Sequence, residues 1–140
     1  MFVRLSEQES WRLLNEGSVG RLACIADGDP YITPINYYLE EGFAYSHSLP
    51  GLKILALREN GRACLQYDEI ESDLSWRSVI AFGNYEELTE PNERKRILGK
   101  ILSRFPLLTP VESALAADGG PPPIIVFRIR IDRITGVAEG

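Results

Sequence analysis

The sequence is poor in the residues that build disulfide frameworks and metal sites. Its 140 residues include two cysteines, one histidine and one methionine. Cys24 and Cys64 each lie in an apolar run, so both are expected to be buried, reduced thiols. Because a single histidine and two distant cysteines do not match any zinc-ligand spacing, no metal site is predicted.

The chain also lacks a long hydrophobic run and an excess of positive charge. No apolar run approaches the ~18 residues of a membrane span, and the N-terminus, MFVRLSEQES, turns polar too early for a signal peptide. We therefore expect a soluble, cytoplasmic protein with no membrane partner. With 15 Lys and Arg against 20 Asp and Glu, the net charge is −5. This charge argues against a nucleic-acid partner, but it permits a small cationic pocket for one phosphate.

The remaining composition is that of one globular domain covering residues 1–140. The hydrophobic fraction is 44% and the charged fraction is 25%. A chain of this length can bury a core without disulfide bonds.

The sequence pattern predicts a mainly β fold with peripheral helices. Turn signals at residues 27–30 and 40–42 join the first three strands into a meander, and residues 68–73 are predicted to form an acidic loop. Short links and a returning C-terminal strand suggest a closed or split barrel. Six strands are predicted, at residues 19–25, 31–39, 43–48, 63–67 and 76–88 and from residue 125 onwards.

Three helices are predicted around these strands. Residues 7–16 form the first, with Ser6 and Glu9 as a capping box and Gly17 as the stop. Residues 52–59 form the second. The third begins at residues 89–91 and carries an apolar stripe at i, i+4 spacing. An irregular excursion is predicted at residues 106–123, which are rich in Pro, Ala and Gly. In the last strand, Arg128 and Arg130 are expected to form a solvated face.

Four blocks of the sequence resemble a known family. They are GRLACIADGDPYITPINYY, FAYSHSLPGLK, WRSVIAFGNYEEL and FRIRIDRITG, in that order. Together they resemble the FMN-binding split-barrel proteins related to pyridoxamine 5′-phosphate oxidase, with the nitroimidazole-resistance-like flavoproteins as the most similar subgroup. The resemblance runs from Ser6 to about Gly136. It implies a six-stranded, Greek-key-like split barrel and a homodimer with two FMN sites at the dimer interface.

Within the second block, Lys53 is the leading candidate for binding the FMN phosphate. It follows Gly51 at a predicted helix start, where free N–H groups favour anions. Ser48 can donate a hydrogen bond, and Gly51 lets a backbone approach closely. The resemblance places Ser46 and His47 in the same cofactor-binding segment. The alternative for Lys53 is a solvated side chain on an exposed helix.

The resemblance assigns two further segments to the cofactor. Arg77 can pair with a phosphate bidentately, and its strand is expected to meet the cofactor through Trp76, Arg77, Ser78 and Val79. The alternative is an amphipathic strand whose arginine faces water. Pro34 suggests an edge strand or a bulge, because proline cannot donate to a ladder. The segment expected beside the flavin ring is Pro34, Ile35, Asn36 and Tyr37, and its alternative is an edge strand without a ligand.

The predicted function is an FMN-dependent oxidoreductase that reduces a small organic or nitroaromatic substrate with electrons from a nicotinamide donor, NAD(P)H. His47 is a weak catalytic candidate, since a partly buried, hydrogen-bonded ring explains it equally well. Arg133 is the only basic residue after Arg130, which disfavours pyridoxamine phosphate as the substrate. Two alternatives remain open: a deazaflavin-dependent reductase, and a dimeric module that carries flavin or haem without turnover.

Overall fold

The structure, a computed structural model, describes residues 2–105 and 124–140. Within them lie eight strands and three helices. In chain order they are β1 (Phe2–Leu5), α1 (Glu7–Glu16), β2 (Val19–Ala26), β3 (Asp29–Asn36), β4 (Tyr38–Glu40), β5 (Phe43–Ser48), α2 (Leu52–Glu59), β6 (Arg62–Ser72), β7 (Ser75–Glu87), α3 (Pro91–Arg104) and β8 (Ile125–Glu139).

All the strands belong to one antiparallel sheet, which confirms the predicted mainly β, split-barrel fold. The strand order is β3-β2-β6-β7-β8-β5-β4, with β1 paired to β8. The C-terminal strand β8 lies between β7 and β5, which is the returning strand expected of a Greek-key connection. The Ser46 hydroxyl of β5, the strand next to the end strand β4, donates a hydrogen bond of 2.6 Å to the Asn36 carbonyl of β3 at the other end of the sheet. Because the chain runs directly from β3 into β4, which pairs with β5, the two ends of the sheet meet here and the barrel closes.

Two tight turns make the predicted meander possible. The β2–β3 hairpin turns at Asp27-Gly28 and the β4–β5 hairpin at Glu41-Gly42, and all four residues have positive φ. Two consecutive positive φ values define the type I′ turn, whose twist matches that of paired strands. The glycines supply the second position of each turn without steric cost.

The barrel interior is filled by the alternate side chains of the strands. Leu22, Leu65, Val79 and Phe127 are completely buried, and they come from four neighbouring strands of the sheet. Helices α1 and α2 cover the open ends of this core and contribute further buried side chains, namely Leu13, Leu14, Ile54 and Leu57. A second, smaller cluster lies under α3 and is made by Tyr38, Tyr45, Leu88, Ile97, Ile101 and Val126.

The predicted helices are confirmed in position. In α1, the Ser6 hydroxyl accepts from the Glu9 N–H at 3.1 Å and Glu9 Oε1 accepts from the Ser6 N–H at 2.9 Å. This is the capping box that the sequence indicates, and Gly17 is the C-cap. The excursion predicted at residues 106–123 lies outside the described residues.

The single strand predicted at residues 31–39 is wrong, because Tyr37 divides it into β3 and β4. The Tyr37 N–H donates to the Ser18 carbonyl at 3.0 Å, and its hydroxyl donates to the Leu14 carbonyl at 2.6 Å. A buried tyrosine needs partners for its polar groups, and these partners lie outside the sheet. The short β4 that follows therefore pairs with β5 instead of β2.

Two further expectations are corrected. The acidic loop predicted at residues 68–73 is largely strand, because β6 continues to Ser72 and Arg77 pairs with Glu69 across the hairpin. Arg128 is not on a solvated face: its guanidinium lies 4.1 Å from the centre of the Phe43 ring and pairs with Glu86 and Glu93. Arg130 is exposed, as expected.

Gly83 should be indispensable to the barrel, because the backbone of β8 leaves no space for a side chain there. A Cβ at Gly83 would lie 2.2 Å from the Arg130 carbonyl oxygen, so Gly83→Ala forces the two strands apart. We expect a loss of about 3 kcal/mol in the free energy of unfolding, or a fall of roughly 10 °C in Tm. The measurement is thermal unfolding followed by circular dichroism.

The matched control is Gly99→Ala in α3, where no described atom beyond the local chain lies within 4 Å of the new Cβ. Alanine favours a helix interior over glycine by about 0.5–1 kcal/mol, so this variant should be more stable than the parent. Equal Tm values for Gly83→Ala and Gly99→Ala would contradict the inference that a Cβ at Gly83 clashes with the backbone of β8.

Candidate functional site

The first candidate segment turns from β5 into α2 through Pro50 and Gly51. Gly51 is the N-cap of α2, and its backbone is extended, with φ 177°. Among the described residues, no atom beyond its neighbours in the chain lies within 4 Å of the position that a Cβ would take. Space for a ligand group is therefore open directly in front of the first turn of α2.

Lys53 lies in this first turn and is half-buried. Burial lowers the pKa of its ammonium group, and the Cys24 thiol is the neighbouring group that opposes this shift. Within residues 2–105 and 124–140, Lys53 has no hydrogen bond or ion pair. A half-buried cation without a counter-charge is unfavourable. An anionic ligand at this position would supply the missing charge.

The thiol beside Lys53 belongs to Cys24, which is buried on the inner face of β2. Burial raises its pKa. The thiolate is the nucleophilic form, so Cys24 is suited to packing and not to covalent chemistry. Lys53 therefore has no charge compensation from the part of the chain that the structure describes.

The three polar residues of β5 point in alternate directions. Ser46 and Ser48 share a face with Ala44, which lies in the barrel core, whereas His47 shares the opposite face with Tyr45. The Ser48 hydroxyl donates to the Leu49 carbonyl at 2.8 Å, and the Ser46 hydroxyl is engaged by Asn36. The structure thus separates His47 from the two serines that precede and follow it.

The segment expected beside the flavin ring forms the end of β3. This strand pairs only with β2 among the described strands and closes one end of the sheet, so the edge position indicated by Pro34 is confirmed. Pro34 and Asn36 are exposed, whereas Ile35 and Tyr37 are buried. Through the hydrogen bond from Ser46 to Asn36, the structure brings this segment next to the second block.

The third segment lies on β7 and is largely engaged within the protein. Arg77 pairs with Glu69 and, at 3.5 Å, with Glu16, so carboxylates already compensate its charge. Gln66 donates to the Ser78 hydroxyl at 3.1 Å. Val79 is completely buried, and the Trp76 ring packs edge-on against Phe2 with centroids 6.3 Å apart.

The structure does not bring Lys53 and Arg77 together within one protomer. Lys53 lies beside Cys24, and the strand register places this part of β2 level with Ala63 and Gly83. From Gly83 to Arg77 is about 20 Å along an extended strand at ~3.3 Å per residue. One phosphate cannot contact both residues of the same chain, so their common role in phosphate binding stays a prediction that needs a second chain.

Sequence reasoning missed a group of cations on α3. Arg96, Lys100 and Arg104 recur every four residues, which places them on one face of the helix. They line a groove of about 550 Å³ together with Tyr38, Gly99 and Ser103. The four-residue spacing of these basic residues is visible in the sequence, and it predicts a basic face on the helix. Tyr38 is distant in sequence, however, and only the fold brings it to the groove.

None of the three described helices is long and apolar enough to cross a membrane. In the same part of the chain, no group of three or more His, Cys, Asp or Glu side chains is arranged to hold a metal ion.

The barrel, its antiparallel strand order and its covering helices define a split-barrel protein. A sequence model described as pyridoxamine 5′-phosphate oxidase matches residues 6–138. The chain belongs to this family.

Individual relatives agree with this assignment. An uncharacterized protein of Rhizobium meliloti is 35% identical over 148 residues, which cover 99% of this chain and 96% of the relative. The crystal structure of a FAD-binding protein from Mesorhizobium loti is 32% identical and covers 100% of this chain and 99% of its own, with a TM-score of 0.78. A Bacteroides thetaiotaomicron protein, provisionally assigned to 5-nitroimidazole antibiotic resistance, shares the fold at 20% identity. It covers 99% of this chain and 87% of its own, with a TM-score of 0.75.

Replacing Lys53 with methionine should stabilise the cofactor-free protein. The pKa of Lys53 is lower in the folded chain than in the unfolded chain, so its charged form costs stability at neutral pH, and this cost fades as the pH rises through the folded pKa. Methionine keeps the length of the side chain and removes the charge. We expect a gain of about 0.5–1 kcal/mol, or a few degrees in Tm.

Thermal unfolding at pH 7 and pH 10 measures this effect, and the difference between parent and Lys53→Met should narrow at the higher pH. Lys95→Met is the control, because Lys95 is exposed on α3 and its replacement should leave Tm unchanged. A lower Tm for Lys53→Met than for this control would show that the ammonium is already stabilised inside the protein.

Proposed function

We propose that this protein binds FMN and uses it as an oxidoreductase. The observation that carries the proposal is the half-buried Lys53 ammonium, which has no partner among the described residues and lies beside the open space at Gly51. Family membership supports it, and so does the 32% identical relative from Mesorhizobium loti, whose name states that it binds FAD.

The residues present fit the phosphate of a flavin nucleotide. A phosphate monoester carries nearly two negative charges at pH 7, and in a chain of net charge −5 only local donors can attract it. Lys53 supplies a cation, and the free N–H groups in the first turn of α2 supply further donors. Ser48 can add a hydroxyl by turning away from the Leu49 carbonyl.

The other proposed contacts concern the flavin ring. Bound flavin would supply hydride or electron transfer. The exposed edge of β3 at Pro34 and Asn36 offers backbone groups that would orient the ring, while Ile35 and Tyr37 hold that edge in place from the core. His47, on the opposite face of β5 from the serines, stays a candidate for contact with a substrate.

FMN and FAD differ in what they require beyond the shared phosphate. FAD adds an adenylate group to the FMN phosphate, so the phosphate at Lys53 would carry one fewer charge and would need space for the adenine. We propose FMN because a terminal dianion matches a half-buried ammonium at a helix N-terminus best. Titration with both nucleotides separates the two.

We also propose that the protein is a homodimer. The outer face of the sheet carries apolar side chains on adjacent strands, and they would be covered by a second copy. They include Ala23 and Ile25 on β2, Ile32 on β3, and Ile80 and Phe82 on β7. A second chain would also account for the separation of Lys53 from Arg77, because the two segments that meet one flavin could then come from different protomers.

The proposed reaction is the reduction of a small organic or nitroaromatic molecule by a nicotinamide donor, NAD(P)H. It rests on the chemistry that a bound flavin provides and on the fold shared with the protein assigned to nitroimidazole resistance. Turnover of such a substrate with consumption of NADH or NADPH is the direct test.

FMN should bind more weakly after Lys53→Ala, whereas riboflavin should not. Removing one charged hydrogen-bond donor from the phosphate site costs ~1.5–3 kcal/mol of binding free energy, or roughly one to two decades of affinity. Riboflavin lacks the phosphate, so its weaker binding should barely change. Quenching of flavin fluorescence on titration into cofactor-free protein gives the affinities of the parent and of Lys53→Ala for FMN and for riboflavin. FAD is titrated in parallel.

Lys95→Ala controls for the loss of one positive charge and should bind both ligands like the parent. If riboflavin loses as much affinity as FMN, the phosphate assignment is wrong. The visible spectrum of the purified protein tests the alternatives, since flavin gives two bands in the near-UV and blue and haem one intense band in the violet.

Ile80→Asp should dissociate the proposed dimer. Ile80 lies on the outer face of β7, and a carboxylate there would be buried without a partner in the interface. Sedimentation should show twice the 15.7 kDa chain mass for the parent and a single chain for the variant. Leu74→Asp is the control, because Leu74 is exposed in the β6–β7 turn. A parent that sediments as a monomer at all working concentrations would contradict the proposal.

A further inference from the structure

A groove between α3 and β4 combines three cations with little opposing charge. Arg96, Lys100 and Arg104 line it from α3. Glu40 accepts from Arg96 at 3.0 Å and from Lys100 at 2.6 Å. Within the described part of the chain, Arg104 has no hydrogen bond or ion pair. The single Glu40 carboxylate thus pairs with two of the three cations, and the groove keeps a net charge of about +2.

The charge of the groove contrasts with that of the whole chain, which is −5. Several other arginines of the described chain are paired with carboxylates, such as Arg58 with Glu87 and Arg62 with Asp132. The C-terminal end of α3 adds about half a negative charge through its dipole, which is less than the two uncompensated cations. The local field therefore favours a doubly charged anion.

Tyr38 of β4 lines the groove together with the cations and brings a buried polar group to it. Its side chain is 6% exposed, and its hydroxyl has no hydrogen-bond partner among the described residues. A stacked Tyr45 ring, 5.3 Å away, fixes the Tyr38 ring. Burial, together with the nearby Glu40 carboxylate, raises the pKa of Tyr38 to about 12, so the phenol keeps its proton and can donate it to an acceptor.

We propose that this groove binds the phosphate group of a phosphorylated small molecule, held by Arg104, Arg96 and Lys100 with the Tyr38 hydroxyl and Ser103 as further donors. A phosphate monoester carries −1.5 to −2 charges at pH 7, which matches the net charge of the groove. Its three acceptor oxygens suit arginine and hydroxyl donors. Gly99 has no side chain to fill the groove, and about 550 Å³ is in the range of small-molecule sites.

The groove is separate from the site proposed around Lys53. The two share no residue: Lys53 lies on α2 beside Cys24 of β2, whereas the groove is lined by α3 and by Tyr38 of β4. Glu40 would act as an internal competitor for the ligand, because an exposed ion pair contributes only about 0–1 kcal/mol and an arriving phosphate can take over its two cations.

The experiment is a titration of the protein with inorganic phosphate at constant ionic strength, followed residue by residue through amide NMR shifts. The amides of Gly99 and Ser103 should shift in a saturable manner. Glycerol 3-phosphate should produce the same shifts, and glycerol should produce none. Shifts that grow linearly without saturation would overturn the proposal in favour of an adventitious ion only.

Three variants that each remove one positive charge show where phosphate binds. Arg104→Ala should weaken phosphate about tenfold, or ~1.4 kcal/mol. Lys95→Ala removes the same charge from the opposite side of α3 and should have no effect at Gly99 and Ser103. Lys53→Ala should likewise leave these shifts unchanged. Equal losses for Arg104→Ala and Lys95→Ala would show a diffuse charge effect and contradict a site.

Tyr38→Phe tests the hydroxyl without changing charge. The parent hydroxyl is buried and unpartnered, so its removal should leave Tm unchanged or raise it, while phosphate should bind several-fold more weakly. Unchanged phosphate affinity in this variant would overturn the role of Tyr38, and a marked fall in Tm would show that the hydroxyl already has a partner in the folded protein.

Discussion

The buried Tyr37 side chain connects the parts of the fold that meet near the candidate flavin site. Its hydroxyl holds the C-terminal turn of α1 through the Leu14 carbonyl, and its N–H holds the segment before β2 through Ser18. These bonds end β3, and the chain continues into β4, which pairs with β5 instead of β2. Because β3 stops there, the Asn36 carbonyl accepts from Ser46, and the sheet closes.

The neighbours of Tyr37 are adapted to this close packing. A Cβ at Gly17 would lie 2.3 Å from the Tyr37 hydroxyl, and one at Gly20 would touch the same ring. Burial raises the pKa of Tyr37 well above its usual range, so the phenol stays a donor at any physiological pH. The candidate ring-binding edge at Pro34 and Asn36 is thus held by a rigid, uncharged anchor.

Some cationic side chains of this protein pair with its own carboxylates, whereas others are available to bind an anion. On the sequence, Arg77 is a second candidate for the phosphate after Lys53, but the fold places Glu69 and Glu16 against it. Lys53 and Arg104 are left without such partners in the described chain. Where such a cation is half-buried, as Lys53 is, or shares a groove with other cations, as Arg104 does, an anion from outside would gain most.

Local patterns determined much of the fold. The capping box at Ser6 and Glu9, the turn at Asp27-Gly28, the edge position of Pro34 and the alternation along β8 all depend on residues close in sequence, and the structure has each of them. The tertiary structure decided the rest. Tyr37 divides a continuous β-type run because its partners lie in α1 and before β2, and residues 68–72 extend a strand because Arg77 offsets their charge across the hairpin. Tyr38 meets the cations of α3, and Cys24 meets Lys53, across long stretches of sequence. The physical reason is the same in each case: hydrogen bonding, burial and charge compensation depend on three-dimensional neighbours, which a one-dimensional pattern does not contain.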